Sequence, residues 1–217
     1  MTNNQDYEKI IPSPFERGFD SMCTKLVPFV PKKLKPNHIT FIGFLAGLTA
    51  GFSFYLATFN KIWFFVAAIG VLIHLFADSL DGAVARERSL VSKSGQFVDI
   101  FSDVVTAIAM FIGVGFSSYA SINIMLFPAI AYPLHNLVQI YWIYFKQKMP
   151  HPVLGPFEMH FFIIVFTIIT YFFDQWSFTI WNYSLRIFDI GAIIFIPFSY
   201  FEIFKSAFKL YRELERP

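Results

Sequence analysis

Residues 78–103 read DSLDGAVARERSLVSKSGQFVDIFSD and set Asp78, Asp81, Asp99 and Asp103 where two hydrophobic segments meet. A carboxylate at the centre of a membrane helix costs roughly 2.5–3.5 kcal/mol on insertion scales. Four of them require a compensating partner, and for converging aspartates that partner is a divalent cation. On a helix, residues 78, 81, 82 and 85 share a face, because side chains three and four apart are neighbours. Asp99 and Asp103 align in the same way, with Gly95 one turn earlier. A short loop joins the two helices, so they pack antiparallel and their carboxylates meet at one edge of the bilayer. Oxygen-only ligation selects Mg²⁺, Mn²⁺ or Ca²⁺. Two such ions roughly 3.5–4 Å apart can clamp a phosphoryl group during displacement. Gly82 and Gly95 allow the close backbone approach that a diphosphate needs, and Arg86 offers a planar fork to phosphate oxygens.

The rest of the chain supplies the setting. Of its 217 residues, 56% are hydrophobic, 20% aromatic and only 15% charged, against about 25% charged in an ordinary soluble domain. Several apolar runs reach the ~20 residues needed to cross a bilayer. The expected fold is an all-α integral membrane protein of six transmembrane helices. They lie near Ile39–Phe59, Ile62–Leu80, Gly95–Ser117, Ile122–Phe145, Phe157–Phe173 and Ile187–Phe208, with Pro128 and Pro133 as kink sites in the fourth. Residues 1–11 read as a flexible leader, and residues 12–34 as an amphipathic helix lying in the membrane interface. The leader lacks the basic-then-apolar layout of a cleaved signal peptide. Two units follow: a cytoplasmic leader with its interfacial helix, residues 1–37, and a six-helix membrane domain, residues 38–217. One cysteine, Cys23, rules out an intrachain disulfide. The formal net charge of +2 carries little information in itself, and no nucleic-acid partner is expected.

Six spans place both termini on one side. Of the 17 Lys and Arg, only Lys61 and Arg186 then fall on the opposite side, so the positive-inside rule puts the termini and the aspartate-rich loop in the cytoplasm. Gly43, Gly47 and Gly51 form a small-residue stripe on the first span, read as intramolecular packing rather than a dimer contact. Trp63, Trp142, Trp176 and Trp181 read as interfacial anchors.

The full pattern is Asp78-x2-Asp81-Gly82-x2-Ala85-Arg86-x8-Gly95-x3-Asp99-x3-Asp103, whose chance occurrence at ordinary residue usage is on the order of 10⁻⁸. It resembles the signature of the CDP-alcohol phosphotransferases, also called CDP-alcohol phosphatidyltransferases, at all eight positions. The likeness extends to six spans, an interfacial N-terminal helix and the run Pro36-Asn37-x-Ile39-Thr40 before the first span. It implies an enzyme of phospholipid synthesis that cleaves the diphosphate of a CDP-linked alcohol, releases CMP and joins the remaining phosphate to a second alcohol. It further implies that Asp78, Asp81 and Asp99 hold two Mg²⁺ or Mn²⁺ ions, with Asp103 also touching metal. By the same resemblance Asp103 is the general base, and Gly82, Ala85, Arg86 and Gly95 form the CDP pocket. Members are commonly homodimers, so a homodimer within membrane lipid is expected.

The substrate pair is less legible. Gly155-Pro156-Phe157-Glu158, after Val153-Leu154, resembles a segment of the choline and ethanolamine phosphotransferases, although Pro at a first helical position with Glu two residues on is also ordinary capping. Beyond Arg86 the spans hold almost no Lys or Arg to receive a phosphorylated acceptor. Both features lean towards transfer from CDP-choline or CDP-ethanolamine to diacylglycerol. The alternative is transfer from CDP-diacylglycerol to serine, inositol (phosphate) or glycerol phosphate. Asn37, His74 and Glu158 are tentative substrate or supporting residues. His74, one turn before Asp78, either orients that carboxylate or is a hydrogen-bonded core residue. His160, on a different face from Glu158, is expected to pack. A divalent-cation transporter is the distant alternative, weakened by carboxylates at one edge and by the lack of an inverted repeat.

Overall fold

The computed structural model describes residues 8–11, 13–152 and 155–215. Pro12, the part of the leader before residue 8, Val153, Leu154 and Arg216 lie outside the described residues. The helices are α1 (Pro14–Leu26), α2 (Pro36–Leu56), α3 (Trp63–Glu87), α4 (Lys93–Gly115), α5 (Ile122–Lys146), α6 (Pro156–Phe173) and α7 (Ile187–Leu214). Proline opens α1, α2 and α6, where its missing N–H leaves no helical bond unmade. Ser13 and Ser92 cap α1 and α4, accepting from Glu16 N at 3.3 Å and Gly95 N at 3.0 Å.

Five helices, α2, α3, α4, α6 and α7, are long and apolar enough to cross a membrane. The sequence reading had six. The missing one is α5, 25 residues long, which carries Pro128, Pro133, His135, Asn136 and Gln139, and these dilute its apolar character. It nonetheless runs the full length of the bundle and is helical through both prolines. At one end, Ser118 N donates to Thr58 Oγ1 at 3.0 Å, the Tyr119 hydroxyl to Asp174 at 2.9 Å and Ser121 N to Asp189 Oδ1 at 2.7 Å. At the other, Lys146 Nζ donates to Glu213 O at 2.8 Å. The α3 helix extends past Leu80 to Glu87, which keeps the whole run from Asp78 to Arg86 helical.

Helix α2 sits hard against α3 and α4 because its small residues face them. A Cβ on Gly43 would stand 2.8 Å from Ala77 Cβ, one on Gly47 2.7 Å from Thr106 Cγ2, and one on Gly51 2.7 Å from the Ala109 backbone. Opposite, a Cβ on Gly113 would be 1.9 Å from Gly51 O. The stripe is therefore used inside the chain. Phe54, Phe64, Ala67, Val71 and Met110 fill the core beside it. Trp142 is not an interfacial anchor: it is buried, with its indole N–H on Ser206 Oγ at 3.0 Å.

The leader folds back over one end of the bundle. Strand β1 (Glu8–Ile10) pairs in parallel with β2 (Lys148–Pro150) in the α5–α6 connection. A second, exposed hairpin, β3 (Ser177–Ile180) and β4 (Tyr183–Arg186), occupies the far end. Neither pairing was expected from sequence, since three- and four-residue strands leave no periodic trace. On α1, Ser13 donates a short hydrogen bond to Glu158, Glu16 pairs with His151 Nδ1 at 3.0 Å, and Phe19 packs on Phe76 and Phe157. Arg88 donates to Val30 O at 2.6 Å and Leu34 O at 3.0 Å, tying the rest of the leader to α3.

Two outcomes follow from this packing. Gly113→Ala will lower the thermal unfolding midpoint in detergent, at a cost of about 3 kcal/mol, because the obstructing atom is backbone. Gly18→Ala, where nothing lies within 4 Å, will leave the midpoint unchanged or raise it. Burial, with the Asp20 and Asp78 charges adding to it, pushes the Cys23 thiol from 9.0 up to about 11. The folded protein will therefore react with iodoacetamide at pH 8 about a hundredfold more slowly than the unfolded chain, following its thiolate fraction.

Candidate functional site

The turn between α3 and α4 sets the site. Ser89 takes φ 55 and the Ser92 hydroxyl starts α4, and α2 packs against both α3 and α4. Asp78 on α3 and Asp99 and Asp103 on α4 then converge, each offering a carboxylate oxygen within 4.8 Å of the others. All three are half-buried. Carboxylates this close repel one another unless a cation stands between them. The donor set is oxygen only, which fits a hard divalent ion such as Mg²⁺ or Mn²⁺.

Two clefts meet at this triad. One, with about 700 Å³ of empty space, is lined by Asn37, Thr40, Asp81, Ala85 and Gly95, among others. The other, about 1010 Å³, is lined by His74, Asp78, Asp103, Tyr132, His151 and His160, among others. Gly82, Arg86 and Asp99 belong to both. The four positions nominated for CDP thus face one cleft, with the triad beside it. A Cβ at Gly82 would approach Arg86 Nη1 at 3.1 Å, and one at Gly95 would come within 3.4 Å of Asn37 Oδ1. Glycine at both keeps this wall low. Arg86 Nη2 donates to Asp20 Oδ1 on α1 at 3.0 Å, so the guanidinium is held at the cleft by a carboxylate of the leader.

Not every expected residue joins the triad. Asp81, nearly fully buried, is outside the group of three; it accepts from the Thr40 hydroxyl at 2.5 Å. It lies in the smaller cleft, three residues beyond Asp78 on α3. Glu158 is not brought to the aspartates. One of its oxygens takes Gly155 N at 2.9 Å and the other the Ser13 hydroxyl, so it starts α6 and fastens α1. Asn37 does reach the smaller cleft, next to Gly95. His74 bridges helices: Nδ1 is 3.2 Å from Gly43 O, Nε2 is 3.3 Å from Thr106 Oγ1 and 4.0 Å from Asp103 Oδ1. It is a hydrogen-bonded core residue that also flanks a carboxylate of the triad.

Several residues of the site were not anticipated. His160 lines the larger cleft with its ring 5.1 Å from that of His74, where a packing or interface role was expected. Asp20, Glu16 and His151 reach the same cleft. Only Thr40, within the run before the first span, had a sequence signal. The leader's acids had none, because nothing in their spacing reveals that α1 folds back onto α3.

The sequence profile of the CDP-alcohol phosphatidyltransferase family matches residues 33–196. The chain belongs to this family. Over 81 residues it is 40% identical to an archaetidylinositol phosphate synthase of Pyrococcus horikoshii, covering 37% of this chain and 40% of that protein. Over 107 residues it is 38% identical to an uncharacterized protein of Aquifex aeolicus, covering 46% and 50%. Over 113 residues it is 30% identical to cholinephosphotransferase 1 of Mus musculus, covering 49% and 28%. The chain thus spans half or less of the length of each of these relatives.

Mn²⁺ titrated into the purified protein will give a bound electron paramagnetic resonance signal. Asp99→Asn will weaken that binding at least about tenfold, and Glu158→Gln will leave it unchanged, because Glu158 faces α1 instead of the triad.

Proposed function

We propose that this phosphotransferase moves an aminoalcohol phosphate from CDP-choline or CDP-ethanolamine to diacylglycerol, releasing CMP. The observation that carries the reading is the carboxylate triad at the junction of two clefts, one walled by glycines and an arginine, the other lined by His74, Tyr132 and His160 beside the triad. Gly82, Ala85, Arg86 and Gly95 bind the CDP diphosphate, and Arg86 exchanges Asp20 for phosphate oxygen. Asp78, Asp99 and Asp103, with Asp81 beside them, would hold the divalent ions. When bound, these ions neutralise the diphosphate and make CMP a competent leaving group. The acceptor hydroxyl gives its proton to Asp103 as its oxygen bonds to the β-phosphorus, and the bond from that phosphorus to the CMP oxygen breaks. His74, beside Asp103, limits the positions that carboxylate can take.

Two features support diacylglycerol as acceptor. A recess lined by Pro128, Met159 and Phe195 adjoins the larger cleft and shares Tyr132, His135 and Pro156 with it. An apolar recess of this kind suits acyl chains. Among the described residues lining the larger cleft, Arg86 is the one Lys or Arg, which leaves little to hold a phosphorylated acceptor. The alternative is transfer from CDP-diacylglycerol to a polar alcohol. It is favoured by a separate recess with Lys205 and Lys209 that shares His135 and His151 with the cleft.

In the membrane, we place α5 as a sixth span alongside the five apolar helices and α1 in the cytoplasmic interface, with residues 1–37 as the leader and 38–217 as the catalytic domain. The run of α5 from one end of the bundle to the other supports this. So does the position of Lys61 and Arg186, each just before a helix that starts at the far end. Both termini and the site then face the cytoplasm.

With Mn²⁺ and dioctanoylglycerol, the protein will release CMP from CDP-choline or CDP-ethanolamine. Release only from CDP-diacylglycerol with serine, inositol, inositol phosphate or glycerol phosphate overturns the assignment. Asp103→Asn will lower turnover by about 10²–10⁴-fold without changing the unfolding midpoint by more than a few degrees. Retained turnover in that variant removes Asp103 as the base.

A further inference from the structure

His160 lines the larger cleft, yet the transfer chemistry gives it no task. It is 4% exposed, and its Nδ1 stands 2.7 Å from Pro156 O. A carbonyl only accepts, so Nδ1 carries the proton and, in the neutral ring, Nε2 carries a lone pair. That Nε2 is buried and has no hydrogen-bond partner among the described residues. Its neighbour His74 has a polar partner at Nε2, the Thr106 hydroxyl at 3.3 Å, which also donates to Asp103 O at 3.0 Å. His160 is also outside the group of side chains able to share a metal ion. A buried acceptor left unmet costs roughly 1–3 kcal/mol, so this nitrogen suits a ligand that brings a hydrogen.

The surroundings specify that ligand further. Besides the three aspartates given to the divalent ions, the cleft holds two further acids, Glu16 and Asp20, against one Arg86, an excess that favours a cation. Quaternary ammonium groups are recognised by cages of aromatic faces and donate no hydrogen bond. Tyr132 and Phe157 are the Phe, Tyr or Trp residues among those described as lining this cleft, too few for a cage. A primary ammonium satisfies both conditions, since it is charged and donates.

We propose that the larger cleft selects a primary ammonium over a quaternary one, with His160 Nε2 accepting one of its N–H groups. This rests on the reading that the donor is a CDP-aminoalcohol, and it makes CDP-ethanolamine the preferred donor. His160 is thus a specificity-determining residue that takes no part in proton transfer.

The test compares CDP-ethanolamine with CDP-choline on the full chain in detergent, with Mn²⁺ and dioctanoylglycerol, by turnover and by displacement of labelled CMP. Wild type will favour CDP-ethanolamine by about tenfold or more in kcat/KM and in displacement. His160→Asn retains a donor for Pro156 O but no atom at Nε2. It will bring the ratio close to one by raising KM for CDP-ethanolamine, while kcat and the KM for CDP-choline hold, which also shows that the variant is folded. His160→Gln, whose Oε1 reaches the Nε2 position, will restore part of the preference. A wild type that treats the two alike or favours choline overturns the proposal, as does an Asn variant that keeps the preference. If no diacylglycerol-dependent CMP release occurs with either donor, the substrate reading falls and displacement alone decides. A preference present in wild type and lost in His160→Asn upholds the role of His160, and equal displacement overturns it.

Discussion

Three carboxylates held within 4.8 Å of one another are the constraint around which the rest of this chain is arranged. At that distance each pair repels by about 3.5 kcal/mol at an effective dielectric of about 20. Left to themselves, α3 and α4 would splay. What opposes this lies outside the triad. Gly51 and Gly113 let α2 and α4 touch backbone to backbone, Thr106 and His74 link α4 to α3, and Arg88 ties α3 to the leader through three carbonyls. Close packing resists such a strain because it has no soft mode along which to relax. The repulsion therefore persists unless a cation or a proton on the triad relieves it.

Much of this was legible in the sequence, and the reasons are physical. Spacings of three and four on two adjoining helices put Asp78, Asp99, Asp103 and the glycines on facing surfaces whatever the details of packing. The helical spans followed from the length and apolarity of their runs, except that α5 carries enough polar residues to fall short on composition while running the same course. Asp81 shows where spacing stops being informative. It shares a face with Asp78 on a helical wheel, but the Thr40 hydroxyl of α2 engages one of its oxygens, and no periodicity within α3 encodes a partner on another helix. The same holds for Glu158, whose capping and leader contacts matched its residue type, and for His160, whose cleft is made by helices distant in sequence.

The leader is the least sequence-encoded part of the site and closes one side of it. Through Ser13, Glu16 and Phe19 it grips α6 and the α5–α6 connection, and through Asp20 it holds Arg86. An incoming phosphate must compete with Asp20 for that guanidinium. The exchange is even in hydrogen bonds but not in charge, because a diphosphate carries more negative charge than one carboxylate. On the proposed reading, Arg86 would therefore favour the nucleotide when it is present and Asp20 when it is absent. Such a substitute ligand keeps the guanidinium aimed at the cleft instead of being lost to solvent, so less of its rotamer freedom has to be removed on binding.

The outer surface completes the picture of two solvents meeting at one site. Phe41, Phe52, Phe101, Phe201 and Phe204 are all more than half exposed, which in water would be a large aggregation hazard and in lipid is ordinary solvation. Inside that belt the polar cleft is bounded by α1 on one side, and it adjoins apolar space between α5, α6 and α7 at Tyr132, His135 and Pro156. A water-borne nucleotide and a lipid alcohol have no solvent in common. A site that transfers phosphate between them needs one wall of each kind, with the charge-bearing residues at the seam. The polar residues that keep α5 from being a simple apolar span, His135 and Asn136 among them, lie on that seam. Its reduced apolarity and its place in the cleft are thus the same property of the sequence.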